Sequence, residues 1–345
     1  MLPLAFLLAI RITPDAAGVQ YRQPKLAVVE NQIAVTFGSG NAVYFVSSVD
    51  SGRSFSSPVK VAETGALMLG HHRGPRVAVT PGAIVISAIA ASRPRAQDAN
   101  LLAWRSTDGG KTWSAAHTLN EVAGSAAEGL HAMAAGGKAP VFATWLDLRN
   151  RRTELYGARS ADGGASWSKN VLVYQSPDGH ICECCHPSAA VDAKGNVYVM
   201  WRNWLGGARD MYLARSTDGG LTFAKAEKLG EGTWPLNACP MDGGALAVDP
   251  KGAIASIWRR AQDIFLARPG QAETRLGAGK DAAVAIGPDG VYAAWAEAKA
   301  LQIQRPGKSH PEVLAAEGAA VQLAGSGPVV AAWESNGAIV IETLR

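Results

Sequence analysis

The chain has 345 residues, 48% of them hydrophobic and only 18% charged, so apolar material for a core is ample while charge is low for a helical cytosolic protein. Its 38 glycines and 18 prolines are scattered rather than concentrated, which reads as turn-rich β structure and excludes a disordered chain. The net charge of +4 comes without any run or stripe of Lys and Arg, which removes the electrostatic case for nucleic acid or an anionic membrane surface.

Taken from the N-terminus, Leu2 to Ile10 form an apolar stretch too short to span a bilayer but suited to the core of a signal peptide. Residues 1–18 are therefore expected to be a leader, with a buried first strand as the alternative, and residues 19–345 a single domain. No later segment approaches transmembrane length. Export to the periplasm or outside the cell would make disulfides permissible.

Beyond the leader, repetition dominates. "SSVDSGRSFS", "RSTDGGKTWS", "RSADGGASWS" and "RSTDGGLTFA" read alike, and their aspartates, Asp50, Asp108, Asp162 and Asp218, are 58, 54 and 56 residues apart. The Ser and Asp side chains can accept backbone N–H bonds within a tight turn, glycine supplies positive φ, and the final aromatic can plug a gap between sheets. These aspartates are thus structural. Each segment is flanked by short apolar runs such as "MYLA" and "NVYVMW".

The pattern S-x-D-x-G-x-[TS]-[WF] resembles the Asp-box (BNR) repeat of the sialidase superfamily. That resemblance implies an all-β fold, a β-propeller of four-stranded blades in which each box joins a blade's third and fourth strands. The second strand recurs as "QIAVTF", "AIVISAI", "PVFATW", "NVYVMW", "AIASIW", "GVYAAW" and "PVVAAW". Seven blades follow from this count, against the six of true sialidases. The last repeat, Ala319 to Arg345, shows three strands, and a segment near Val19–Tyr21 is expected to supply the fourth and remove the open edges.

Three of the four cysteines stand in "ICECCHP" and the fourth in "NACPMDGG". Ungapped alignment on Trp201 and Trp258 sets Cys182 against Cys239, Cys184 against Met241 and Cys185 against Asp242. The same register brings His72 and Tyr21 opposite Cys184, and Arg73 and Arg22 opposite Cys185, with His131 and Met133 nearby. All precede or open an innermost strand, so in a propeller they ring one axial mouth, with the Asp-box turns on the other face.

Three readings of that mouth stay open. Tyr21-Arg22-Gln23-Pro24 looks like the [FY]-R-I-P motif of sialidases, which implies an exo-glycosidase whose Arg22 grips a carboxylated sugar, and Arg22 with Arg73 makes an anionic ligand at the mouth an expectation in its own right. Against this, Gln23 replaces the usual Ile, only Arg305 and Arg345 follow Arg275, and Asp147 and Asp210 are matched blade-loop positions rather than an acid/base pair. The favoured expectation is therefore a ligand- or metal-binding propeller without sialidase turnover. For a metal, Cys182, Cys184, Cys185, His186, Cys239, Met241, His72 and His131 are the candidate ligands, and their sulfur favours copper as Cu(I), with zinc as the alternative. The third reading is a disulfide-stapled scaffold for a partner protein, with Cys182–Cys239 the attractive bridge and Cys184–Cys185 disfavoured by vicinal geometry.

Overall fold

The computed structural model describes residues 9–137, 140–325 and 327–344. Seven antiparallel sheets follow one another around a ring. Their innermost strands are Arg22–Val29, Arg76–Thr80, His131–Ala135, Ser188–Val191, Ala245–Val248, Lys280–Gly287 and Ala319–Ala324, which define blades 1 to 7. Blade 2 carries one addition, the two-residue strand Ala66–Leu67, which pairs with the far end of its second strand, Ala83–Ala91. Among the described residues no helix is long and apolar enough to cross a membrane.

The core lies between blades rather than within one. Phe45 and Val43 of blade 1 pack with Val77, Ile86 and Trp104 of blade 2, and Trp145 and Met133 of blade 3 pack with Val85 and Leu101 of blade 2. Second strands read as near-continuous apolar runs because both their faces meet a neighbouring sheet. Trp145, Trp201 and Trp295, one per blade in blades 3, 4 and 6, are fully buried there.

The four boxes form the expected turns. In the second, Ser106 Oγ donates to Asp108 Oδ1 (2.8 Å) and accepts from Gly110 N (2.8 Å), while Asp108 accepts from the Thr112 backbone N–H (3.0 Å). Gly110 has φ +91° and lies against the Phe45 ring of blade 1. Trp113 meets the same ring edge-on at 5.3 Å, so one box ties two blades together. Hydrogen bonds from Ser54 and Ser48 hold the Asp50 carboxyl down at about 2, and those from Ser166 do the same for Asp162.

Ring closure departs from expectation. The fourth strand of blade 7 is Ile10–Ile12, not Val19–Tyr21; Ile10 faces Ile341, Arg11 faces Val340 and Ile12 faces Ile339. The alternation of Ile-Arg-Ile explains the choice: the isoleucines turn into the core shared with Val330 and Ile341, while Arg11 donates to the Ser335 carbonyl at 2.7 Å. Val19 is exposed, and Tyr21 packs on Phe37 of blade 1. Most of the apolar stretch expected as a leader core, residues 1–8, lies outside the described residues. Ile10–Ile12, within the stretch expected as leader, is part of the ring.

Candidate functional site at the axial mouth

Strand direction fixes which end is which. Each innermost strand runs from the mouth toward the Asp-box face, so connections between blades and the loops joining second to third strands gather at the mouth. Along the axis the seven innermost strands enclose a cavity of about 480 Å³. Lys25, Arg76, Ser188, Ala283 and Gln322 occupy one layer of its wall, each paired with the residue at the equivalent point of its second strand: Thr36, Ser87, Met200, Ala294 and Ala332.

The cysteine loop connects blades 3 and 4. Cys182 is anchored by its N–H to the Arg202 carbonyl (3.0 Å), and Cys185 closes a turn onto the Cys182 carbonyl (3.3 Å). The disulfide joins Cys184 to Cys239, with Cα atoms 6.2 Å apart, and so links the blade 3–4 connection to the blade 4–5 connection. The Cys182–Cys239 bridge suggested by the register is not formed. Cys182 is tied by its backbone with its side chain buried, whereas Cys184 is partly open at the turn and reaches the exposed Cys239.

Cys182 and Cys185 remain thiols, their sulfurs 2.9 Å apart, and Cys184 Sγ lies 3.6 Å from the first and 3.9 Å from the second. The hydrogen bond with Cys185, helped by Arg209 and Arg202, brings Cys182 down to about 7 against the effect of burial. Burial and the Cys182 partner push the Cys185 thiol well up.

A second cluster stands beside the first. His71 and His72, on the connection into blade 2, place their Nε2 atoms 3.0 and 2.9 Å from the same Asp281 oxygen. Asp281 occupies a bulge in the innermost strand of blade 6, with φ +57°, and its N–H donates to Asp242 Oδ2 at 3.0 Å. The His186 ring stacks on His72 at 4.1 Å, and its Nδ1 is buried with no hydrogen-bond partner. Burial would raise the Asp281 carboxyl, but the two imidazoles outweigh it and hold it well below the usual carboxylate range. Burial lowers His72 and lowers His186 far, keeping both neutral, while the bond to Asp281 raises His71.

Below these groups lies Lys25, whose Nζ donates to Gln322 Oε1. Burial, then the neighbouring Arg76, pushes its amine well below the usual lysine range. Arg76 is buried as well, but its guanidinium is taken up by the carbonyls of His131, Gly74, Pro75 and His72. It serves as a brace between blades 2 and 3.

The other candidates fall as follows. Arg22 is half exposed, its Nε 3.9 Å from Glu334, which also accepts the Gln23 N–H at 2.6 Å. Arg73 donates to the Glu128 carbonyl at 2.9 Å. The buried His131 ring faces Ser87 Oγ at 3.0 Å, and Met241 is exposed at φ +56°. Among the described residues, the His, Cys and acidic ligand atoms that converge within 4.8 Å are Cys182, Cys184 and Cys185, and separately His71, His72 and Asp281. Asp147 is enclosed by Ser125, Trp145 and a two-point contact with Arg149, and Asp210 is held by Lys228 and the Trp234 N–H.

Residues 89–258 match the family model described as a BNR repeat-like domain. No curated protein sequence matches the chain. Among solved structures, an ulvan lyase of a new polysaccharide lyase family aligns with TM-score 0.58 at 11% identity over 98% of this chain and 96% of that one. An α-L-arabinanase of Penicillium chrysogenum complexed with arabinobiose aligns at 0.52 and 12%, over 97% of each chain. YCF48 bound to a D1 peptide aligns at 0.56 and 14%, over 99% of this chain and 97% of that one. At such identities the likeness concerns the fold. Repeats and ring together make the chain a β-propeller of seven blades with Asp-box turns, similar over residues 89–258 to the BNR repeat-like domain.

Proposed function

We propose that this is an exported propeller that binds a small anionic ligand of the carboxylated-saccharide class at its axial mouth, without sialidase turnover. The observation that carries the reading is Lys25: a half-buried amine on the cavity wall whose hydrogen-bond partner is the neutral amide of Gln322 and whose charged neighbour is the cation Arg76. A partly desolvated ammonium without a counter-charge is disfavoured, and an incoming carboxylate would supply that charge. The neutral imidazoles of His72 and His186 offer further hydrogen bonds nearby.

Sialidase chemistry is disfavoured because Arg22 already faces Glu334, and Asp147 and Asp210 are consumed by structural bonds. The Cys184–Cys239 disulfide supports export, since such bridges persist in oxidising compartments. Glycan-degrading enzymes among the neighbours support the ligand class by analogy of fold alone. Calorimetric titration with glucuronate, N-acetylneuraminate and glucose tests the reading. An acidic sugar should bind, glucose should not, Lys25→Met should weaken binding at least tenfold, and a fluorogenic sialoside should not turn over. Equal binding of glucose, or turnover abolished by Arg22→Ala, would overturn it.

A second reading rests on the three sulfurs within 3.9 Å of one another. Once a reductant opens the disulfide, Cys182, Cys184, Cys185 and Cys239 would present a thiolate set that suits Cu(I) over harder ions, with zinc the next choice. Metal analysis of protein purified from the periplasm, with a free-thiol count, tests it: two free thiols and no copper would exclude it.

A further inference from the structure

We propose that His71, His72 and Asp281, with His186 as fourth donor, form a site for a zinc-class divalent cation, separate from the sulfur cluster. The four side chains come from the connection into blade 2, the connection into blade 4 and the innermost strand of blade 6, so the ring closure itself assembles them.

The geometry is that of a coordination group. Two imidazole nitrogens converge on a single carboxylate oxygen at 3.0 and 2.9 Å, and all three ligand atoms lie within 4.8 Å of one another. Metal–ligand bonds of about 2.1 Å set the edges of a tetrahedron at about 3.4 Å, so a small outward shift of the donors admits an ion among them. The independent observation is His186. Its side chain is buried against His72, and its Nδ1, a ring nitrogen with no hydrogen-bond partner, is left over. Buried polar atoms are rarely left unpaired, and an ion held by the neighbouring cluster would give this one, stacked on His72, its partner.

The supporting shell is also in place. Asp242, itself buried, accepts the Asp281 N–H and fixes the bulge that aims the carboxylate. Asp281 shares its positive φ of +57° with Gln23 and Ala320 at the matching bulges of blades 1 and 7, so the repeat itself supplies the bend. Nitrogen and carboxylate donors favour zinc or a similar borderline ion, whereas Cu(I) prefers the sulfurs. His71, with its side chain 40% exposed, leaves the ion open to solvent on one side, where a ligand oxygen could enter.

The test uses zinc alone on full-length, chelator-stripped protein, with no ligand or activity assay. One equivalent should bind by calorimetry and raise the melting temperature. The Cys182→Ser/Cys185→Ser double variant should bind equally well, which separates this site from the sulfurs. Asp281→Asn and His72→Ala should each weaken binding at least a hundredfold. Should either fail to fold, His71→Ala, on a more exposed side chain, should still weaken it at least tenfold. Zinc binding that survives His71→Ala and Asp281→Asn, or that disappears in the cysteine double variant, would overturn the assignment, as would the absence of stoichiometric binding to the native chain.

Discussion

Gly110 of the second Asp box sits flat against Phe45 of the preceding blade, so closely that a Cβ would stand 2.1 Å from the phenyl ring. The same glycine in the third and fourth boxes, Gly164 and Gly220, meets Val85 and Phe142 in the blades before them. The repeat is thus a device for inter-blade packing as much as a turn.

Gly110→Ala should therefore cost about 2–4 kcal/mol, combining the strain of φ +91° with overpacking. Chemical denaturation read by tryptophan fluorescence would check this. Asp108→Ala should also lower the melting temperature while leaving mouth ligands bound as before, because the boxes lie on the opposite face.

The boxes carry a pH signature. Asp50 and Asp162 titrate near 2 in the folded chain, below the unfolded carboxylate value of about 3.9. Groups with depressed folded values contribute stability that is present above the unfolded value and lost as pH falls through the folded one. Melting temperature should accordingly fall between about pH 4 and pH 2. Replacing both aspartates by asparagine should flatten that part of the profile.

Ile10–Ile12 completes blade 7, so a truncation that removes it should open the ring. Removing 1–18 should cost about 3 kcal/mol, from the lost burial of two isoleucines, and open a sheet edge prone to association. If the protein is exported through a cleaved leader, mass spectrometry of the mature chain should find its first residue before Ile10.

Reducing the Cys184–Cys239 bridge, or replacing both cysteines by serine, should destabilise the chain by at most about 4 kcal/mol, the loop-entropy value for a separation of 55 residues. A mild oxidant should then join Cys182 to Cys185, whose sulfurs are already 2.9 Å apart. Peptide mapping of the serine variant would show the new linkage.

Ligand binding at Lys25 should be linked to protons. Burial holds this amine well below the usual lysine range, and a bound carboxylate would raise it again. Affinity for an acidic sugar should therefore fall as pH rises, and binding should take up protons. Calorimetry in buffers of different ionisation enthalpy measures the uptake, which Lys25→Met should abolish.

Much of this was legible in the sequence and some was not, for physical reasons. The boxes and second strands are local patterns, so blade number and the two faces follow from their spacing. The register that brought His72 and the cysteines to one mouth follows the same strand geometry. It would also have reached Asp281, two residues before Ala283 as His186 is before Ser188, but "GKDAAV" carries no conspicuous motif. Cys184 rather than Cys182 reaches Cys239 because one loop residue points out and the other in, a matter of turn geometry that blade register cannot encode. Lys25 and Arg76 stand in no motif and drew no expectation from the sequence. Only the enclosed axis makes one a half-buried amine beside another cation and the other a brace.

The strand from the N-terminus in blade 7 also orders events in time. Hairpins of blades 1 to 6 join residues close in sequence and can form as the chain is made. Ile12 and Ile339 meet only after all seven blades have been made. Until then the ring is an open arc with an unpaired edge at each end, and the mouth, whose donors come from blades 2, 4 and 6, has no fixed circumference. Any ligand or ion that bridges those blades would favour the closed circle over the arc, and so act as a late partner in folding.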